Sequence, residues 1–145
     1  MQGETAMKSN LRVMSIGAFF GAILFSVALW AADAAPGIQS SALLDRARKM
    51  DDSYVIVDVR SPEEFAKGHV PGAVNIPMEK MQERLQELMN AKNKNQDIVL
   101  YCHSGRRSAI AAETLRKNGF DKLLHMEGDM QKWSDDKLPI ESSEK

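Results

Sequence analysis

Two short stretches, Tyr54 to Val59 and Asp97 to Tyr101, are apolar almost without a break and rich in valine, isoleucine and leucine. A strand with one face in water alternates apolar with polar residues, so continuous apolar runs fit strands covered on both faces, as in a parallel sheet. Between them, Met78, Met81, Leu85, Leu88 and Met89 recur at spacings of three and four. That spacing predicts one apolar stripe on a covering helix, whose outer face carries Glu79, Lys80, Glu83, Arg84 and Glu87. The methionines read as core filling. Lys92 to Gln96 reads as a polar turn.

The remaining punctuation agrees with this alternation. Ser40 to Met50 is expected to form a first helix. Ser61, Pro62, Glu63 and Glu64 combine a capping residue, a proline at the first helical position and a glutamate three residues after the cap, so a short helix starts there and Gly68 ends it. Pro71, Gly72 and Pro77 bracket an extended piece, Ala73 to Ile76. Asn118 and Gly119 stop a later helix, and Leu123 to His125 reads as another short strand. Strands alternating with helices indicate an α/β domain, in which ligands collect at the carboxyl ends of the strands. Cys102 lies at such an end.

Lys8 and Arg12 precede a run from Val13 to Ala32 without a charged residue, the pattern of an export signal. Ala32, Asp33 and Ala34 form a small-x-small cleavage site. The expectation is therefore a signal peptide over residues 1–34, cut after Ala34, and a single domain over residues 35–145 in the periplasm or otherwise outside the cytoplasm. The apolar run is also long enough to cross a bilayer as an uncleaved anchor, the one route to a membrane that the sequence offers. Met7 is an alternative start. Glu4, Lys8, Arg12 and Asp33 cancel, so the mature domain keeps the formal net charge of −1, which suggests no nucleic-acid surface. With one cysteine among 145 residues, no internal disulfide can form and the fold must rest on packing. In an oxidising compartment such a thiol must be kept reduced or persulfidated.

That cysteine opens the heptapeptide Cys102, His103, Ser104, Gly105, Arg106, Arg107, Ser108, before Ile110, Ala111, Thr114 and Leu115 recur at helical spacing. Loop amides converging at a helix N-terminus hold negative charge, and two arginines add to the effect. The placement suggests a catalytic thiolate rather than a buried structural thiol.

The stretch Val57, Asp58, Val59, Arg60, Ser61, Pro62, Glu63, Glu64, Phe65, its continuation Gly68, His69, Val70, Pro71, Gly72, Ala73, and the Cys102 loop together resemble a single-domain rhodanese of the thiosulfate sulfurtransferase family. The likeness runs from about Ile38 to Trp133. It implies a rhodanese-like α/β fold, a five-stranded parallel sheet flanked by helices, with the cysteine loop wrapped around an anion-binding hollow. With the export signal, the chain resembles the small periplasmic sulfurtransferases associated with phage-shock genes in enteric bacteria. One departure stands near the end: where such proteins often have two glycines, this chain reads Glu127, Gly128, Asp129. A turn needing positive φ at the second site would strain Asp129, although aspartate tolerates that region better than most residues.

The resemblance implies transfer of the sulfane sulfur of thiosulfate, or of another sulfane-sulfur donor, to Cys102, and from its persulfide to an acceptor. Cyanide is the assay acceptor. Small thiols or a thiol-redox protein are the cellular candidates, and no cofactor is implied. His103, Ser104, Gly105, Arg106, Arg107 and Ser108 form the expected substrate cradle, with Gly105 allowing the tight fold of an anion nest. Arg107 is expected to bind the donor's sulfonate, Arg106 to steer anions from solvent, and His103 to point outward. Cysteine phosphatases need five residues between cysteine and arginine, and here Cys102 and Arg107 are separated by four. Asp58 and Arg60 are expected to brace the rim through charged hydrogen bonds, with Glu64 in their network. His69 and His125 lack metal-ligand spacing and read as structural, with no metal site expected; Trp133 and Phe120 read as core. A sulfur-carrier, binding or redox-sensing module with little turnover is the alternative.

Overall fold

The two apolar runs become the adjacent central strands of the sheet in the computed structural model, which describes residues 34–143. β1 (Gly37–Ile38), β2 (Tyr54–Asp58), β3 (Val74–Asn75), β4 (Asp97–Tyr101) and β5 (Leu123–Met126) form one five-stranded sheet in the order β1-β5-β4-β2-β3. All four pairings are parallel, and β2 and β4 run in register from Tyr54 opposite Asp97 to Asp58 opposite Tyr101. β1 was not expected from the sequence, because two residues carry no periodicity; its partners are His125 and Met126.

Side chains of β4 divide strictly between two layers, as the two-residue period of a strand requires. Ile98 and Leu100 face a layer with Ala111, Ala112, Leu115, Phe120, Met81 and Leu88, and Cys102 continues that face. Val99 and Tyr101 face the opposite layer with Leu43, Leu44, Met126, Met130 and Trp133. α1 (Ser40–Arg48) and α5 (Asp129–Asp135) supply this second layer, and α4 (Arg106–Lys117) the first. Trp133 is fully buried, and its indole N–H donates to the Pro139 carbonyl at 2.9 Å.

Two expectations change. The segment around residues 78–89 is no single helix: it consists of 3₁₀ turns at Met78–Lys80 and Leu85–Leu88, followed by α3 (Met89–Asn93). Its apolar residues still pack against the sheet, with Met81 and Leu88 buried. The steps of three, Met78 to Met81 and Leu85 to Leu88, suit 3₁₀ turns as well as an α-helix, the step of four between them spans the break, and Arg84 is tied there to the Asn75 carbonyl and to Glu87. Consequently Lys92 and Asn93 belong to α3, and the turn is narrower than expected. On α4, Ser108, Ala111, Ala112 and Leu115 are buried while Ile110 is 42% exposed.

α2 (Pro62–Lys67) begins with the expected capping box: Ser61 Oγ accepts from the Glu64 N–H at 3.3 Å, and Glu64 Oε2 accepts from the Ser61 N–H at 3.1 Å. The export-signal expectation falls on residues that, Ala34 excepted, lie outside the described ones. Among the described residues no helix is long and apolar enough to cross a membrane. Ser61→Ala should lower stability by about 1 kcal/mol, the typical worth of an N-cap, measured as a shift in the urea unfolding midpoint at unchanged slope.

Candidate active site

Cys102 is the first residue beyond β4, and its direction follows from the strand's alternation. It is 1% exposed, and its Sγ accepts a hydrogen bond from the Gly105 N–H at 3.0 Å. Gly105 caps α4 with φ +95°, and a Cβ there would stand 3.1 Å from the Asp129 carboxylate. Both the backbone conformation and the space therefore call for glycine. The first turn of α4 lies directly against the sulfur, where the helix's partial positive charge favours an anion. Ser108 Oγ, 3.8 Å from Sγ, donates to the Gly105 carbonyl at 2.9 Å and closes the loop. Met78, Cys102, Ser104, Arg106, Arg107 and Ile110 line a hollow of about 400 Å³ over this loop. His103 and Arg106 are exposed, and the His103 carbonyl accepts from the Gln131 N–H.

Arg107 reaches Glu64 through two hydrogen bonds, Nη1 to Oε2 at 2.6 Å and Nη2 to Oε1 at 2.9 Å. This pairing holds the Glu64 carboxyl down at about 2, well below its usual range, so Glu64 is ionised wherever the protein is folded near neutrality. Arg106 has no carboxylate partner among the described residues. The two arginines thus differ in charge balance: one is neutralised by α2, the other is free at the mouth.

Asp58 and Arg60 form a buried, charge-assisted knot at the end of β2. Arg60 Nε and Nη2 donate to the Asp58 carboxylate at 2.6–3.0 Å, and Nη2 also donates to the Gly68 carbonyl at 2.7 Å. The Arg60 N–H donates to Asp58 Oδ1 as well, and Asn75 Nδ2 donates to the carbonyls of both residues. Neither Asp58 nor Arg60 touches the sulfur: they fix where α2, and with it Glu64, leaves the sheet. Glu64 connects to the loop through Arg107. His69 lies away from the loop, stacked on Phe65 with its Nδ1 2.7 Å from the Phe65 carbonyl oxygen.

The sequence reading missed Asp129 as a site residue. It adopts φ +54° directly after Gly128 at +75°, and the double turn points its carboxylate under the loop. Asp129 Oδ1 accepts from the Cys102 N–H at 2.8 Å and faces Ser108 Oγ at 3.4 Å, while Oδ2 meets His125 Nε2 at 2.9 Å. The Met130 N–H donates to the Cys102 carbonyl at 3.0 Å, so α5 grips the peptide groups on both sides of the cysteine. His125, read as structural, belongs to this floor. Its hydrogen bond to Asp129 raises its pKa above the ordinary imidazole value; burial alone would raise that of Asp129, but the bonds from His125 and from Cys102 bring it below the carboxylate norm. The signal available in sequence was the carboxylate standing where a second glycine was expected.

A model of the rhodanese-like domain matches residues 42–136. A sulfurtransferase of Allochromatium vinosum is 35% identical over 107 residues, covering 74% of this chain and 95% of that protein. YrkF of Bacillus subtilis, named as a candidate sulfur carrier protein, is 44% identical over 84 residues, covering 58% of this chain and 43% of its own length. The chain spans about half the length of such Bacillus relatives, 59% in the case of YqhL. A rhodanese-related protein of Thermoplasma volcanium has a similar structure, with TM-score 0.62 at 27% identity, covering 75% of this chain and 99% of that one.

Two outcomes follow from the ion pairs. Arg60→Ala leaves the Asp58 carboxylate buried without its partner and should cost about 3–5 kcal/mol in urea unfolding. Glu64→Gln should lower stability by about 1 kcal/mol or less at neutral pH, the pair being a third exposed. Because the folded carboxyl sits at about 2, below the ordinary 4.5, this difference from wild type should fade as pH falls from about 4.5 toward about 2 and persist above.

Proposed function

Because the chain belongs to the rhodanese-like domain family, with sulfurtransferases among its relatives, we propose that it transfers the sulfane sulfur of thiosulfate, or of a related donor, through a Cys102 persulfide. The Cys102 thiolate attacks the outer sulfur of thiosulfate; the new S–S bond forms as the old one breaks, and sulfite leaves with the bonding pair. A nucleophilic acceptor then takes the terminal sulfur and returns the thiolate, a double displacement through a covalent intermediate. With cyanide the product is thiocyanate; with a thiol it is a persulfide, the role we assign to a small thiol or a dithiol redox protein in the cell.

The observation that carries this reading is the sulfur's position. It sits at the bottom of the hollow, with the Gly105 amide on it and two guanidinium groups in the wall. The amide and the helix N-terminus stabilise negative charge on thiolate and persulfide alike. Arg106 is the better placed of the two arginines for a free donor anion, since Glu64 already occupies Arg107. Arg107, bridging α2 and the loop, is assigned to holding the wall in place. The basic and apolar stretches before residue 33 support action outside the cytoplasm, with the N-terminal segment removed after Ala34 or retained as an anchor.

The reading is tested on purified mature protein by intact mass before and after thiosulfate, beside Cys102→Ser. The expected result is a gain of one sulfur atom, lost to cyanide with thiocyanate released and absent from the variant. No adduct on reduced, folded protein would overturn thiosulfate as donor and favour the sulfur-carrier reading that the YrkF relative suggests. Arg106→Ala should raise KM for thiosulfate about tenfold, the loss of one charge-assisted contact, with kcat largely kept.

A further inference from the structure

The carboxylate of Asp129 has no counterpart in what a sulfurtransferase loop needs for anion binding: it places a negative group beneath a site meant to hold negative sulfur. Its side chain is 3% exposed, in line with the Cys102 N–H on one oxygen and His125 on the other. Gly105, whose amide donates to Sγ, packs directly over it, and a Cβ at Gly105 would be 3.7 Å from His125 Cε1 and Nε2. His125 itself is 31% exposed on its side chain, so protons reach it from solvent while Asp129 stays enclosed.

We infer that His125 and Asp129 form a positioning pair for Cys102, in which Asp129 grips the cysteine's backbone and the charge state of His125 sets how strongly that carboxylate opposes negative charge on the sulfur. With His125 protonated, the pair is neutral and the loop's amide and helix dipole act on the sulfur unopposed. With His125 neutral, the carboxylate's charge stands alone next to the reacting group, and like charge disfavours the thiolate. The groups facing the pair are Glu127, on the same turn and also holding the imidazole in its charged form, and Cys102 itself, which faces Asp129 from the loop. Reactivity of the sulfur is therefore expected to depend on a second ionisation besides its own. Neither residue lines the hollow over the loop, so both act through Cys102.

This inference rests on Cys102 being the reacting sulfur, and its test avoids sulfur transfer altogether. Alkylation of Cys102 by iodoacetamide, a neutral reagent, is followed as a function of pH in wild type, His125→Gln, Asp129→Asn and the double variant. Asp129→Asn retains an oxygen for the Cys102 N–H and so preserves the grip while removing the charge. His125→Gln should slow alkylation at pH 7 about tenfold. Asp129→Asn should react at least as fast as wild type, and adding His125→Gln to it should change the rate by less than about twofold, the signature of two residues acting as one unit. The wild-type pH profile should carry an inflection near the histidine range that both single variants lose. The inference is overturned by an unchanged rate in His125→Gln, or by an equal loss from that substitution in the Asp129→Asn background, which would mark both side chains as scaffold only. Should alkylation follow the expected pattern while thiosulfate leaves no adduct, the proposed donor fails and the pair stands.

Discussion

A fully buried carboxylate at the end of a central strand is the constraint from which the rest of the site is built. Burial of the Asp58 carboxylate is costly without a compensating charge, and the guanidinium of Arg60 provides it from two residues along the same chain. The chain bends at Arg60 as it leaves the sheet. Arg60 Nη2 then also donates to the Gly68 carbonyl at the far end of α2, and Asn75 ties both residues to β3. Start, end and orientation of α2 are thereby fixed, and Glu64 on its first turn is delivered to Arg107 of the sulfur loop. A pair that never meets the sulfur determines one wall of its hollow.

The opposite side of the loop is fixed by α5. The amide and carbonyl of Cys102 are both spent on this helix's N-terminal turn, one on the Asp129 carboxylate and the other on the Met130 amide. Cys102 thus has its backbone position set by two rigid elements, β4 before it and α5 beneath it, and only the loop beyond is free to shape itself around the sulfur. In the proposed double displacement the same hollow serves two states of that sulfur, and a fixed backbone lets both use one amide and one helix terminus.

The central strands were legible because burial on both faces leaves its mark on every residue of the run, and the Ser61 capping box because its partners are three residues apart. Gly105 and the loop were legible from local chemistry. What escaped was set by distant partners. β1 is defined by its pairing with β5 and has no pattern of its own. The apolar steps of three, Met78 to Met81 and Leu85 to Leu88, fit a 3₁₀ turn as well as an α-helix, and the ties of Arg84 at the break between them could not be read from spacing. Asp129 was seen only as a strained turn residue, since its contacts with Cys102 and His125 depend on how α5 docks under the loop. The departure from the two-glycine pattern that looked like a local defect marks the carboxylate that grips the cysteine.

The strict two-residue period of β4 ties the chemistry to parity. Ile98, Leu100 and Cys102 share one side of the sheet, Val99 and Tyr101 the other. Gain or loss of a single residue between Ile98 and Cys102 would send the sulfur to the face occupied by Trp133 and Tyr101, away from the α4 N-terminus and both arginines. Without a compensating bulge, a change in the length of this strand therefore keeps the sulfur on its own face only in even steps.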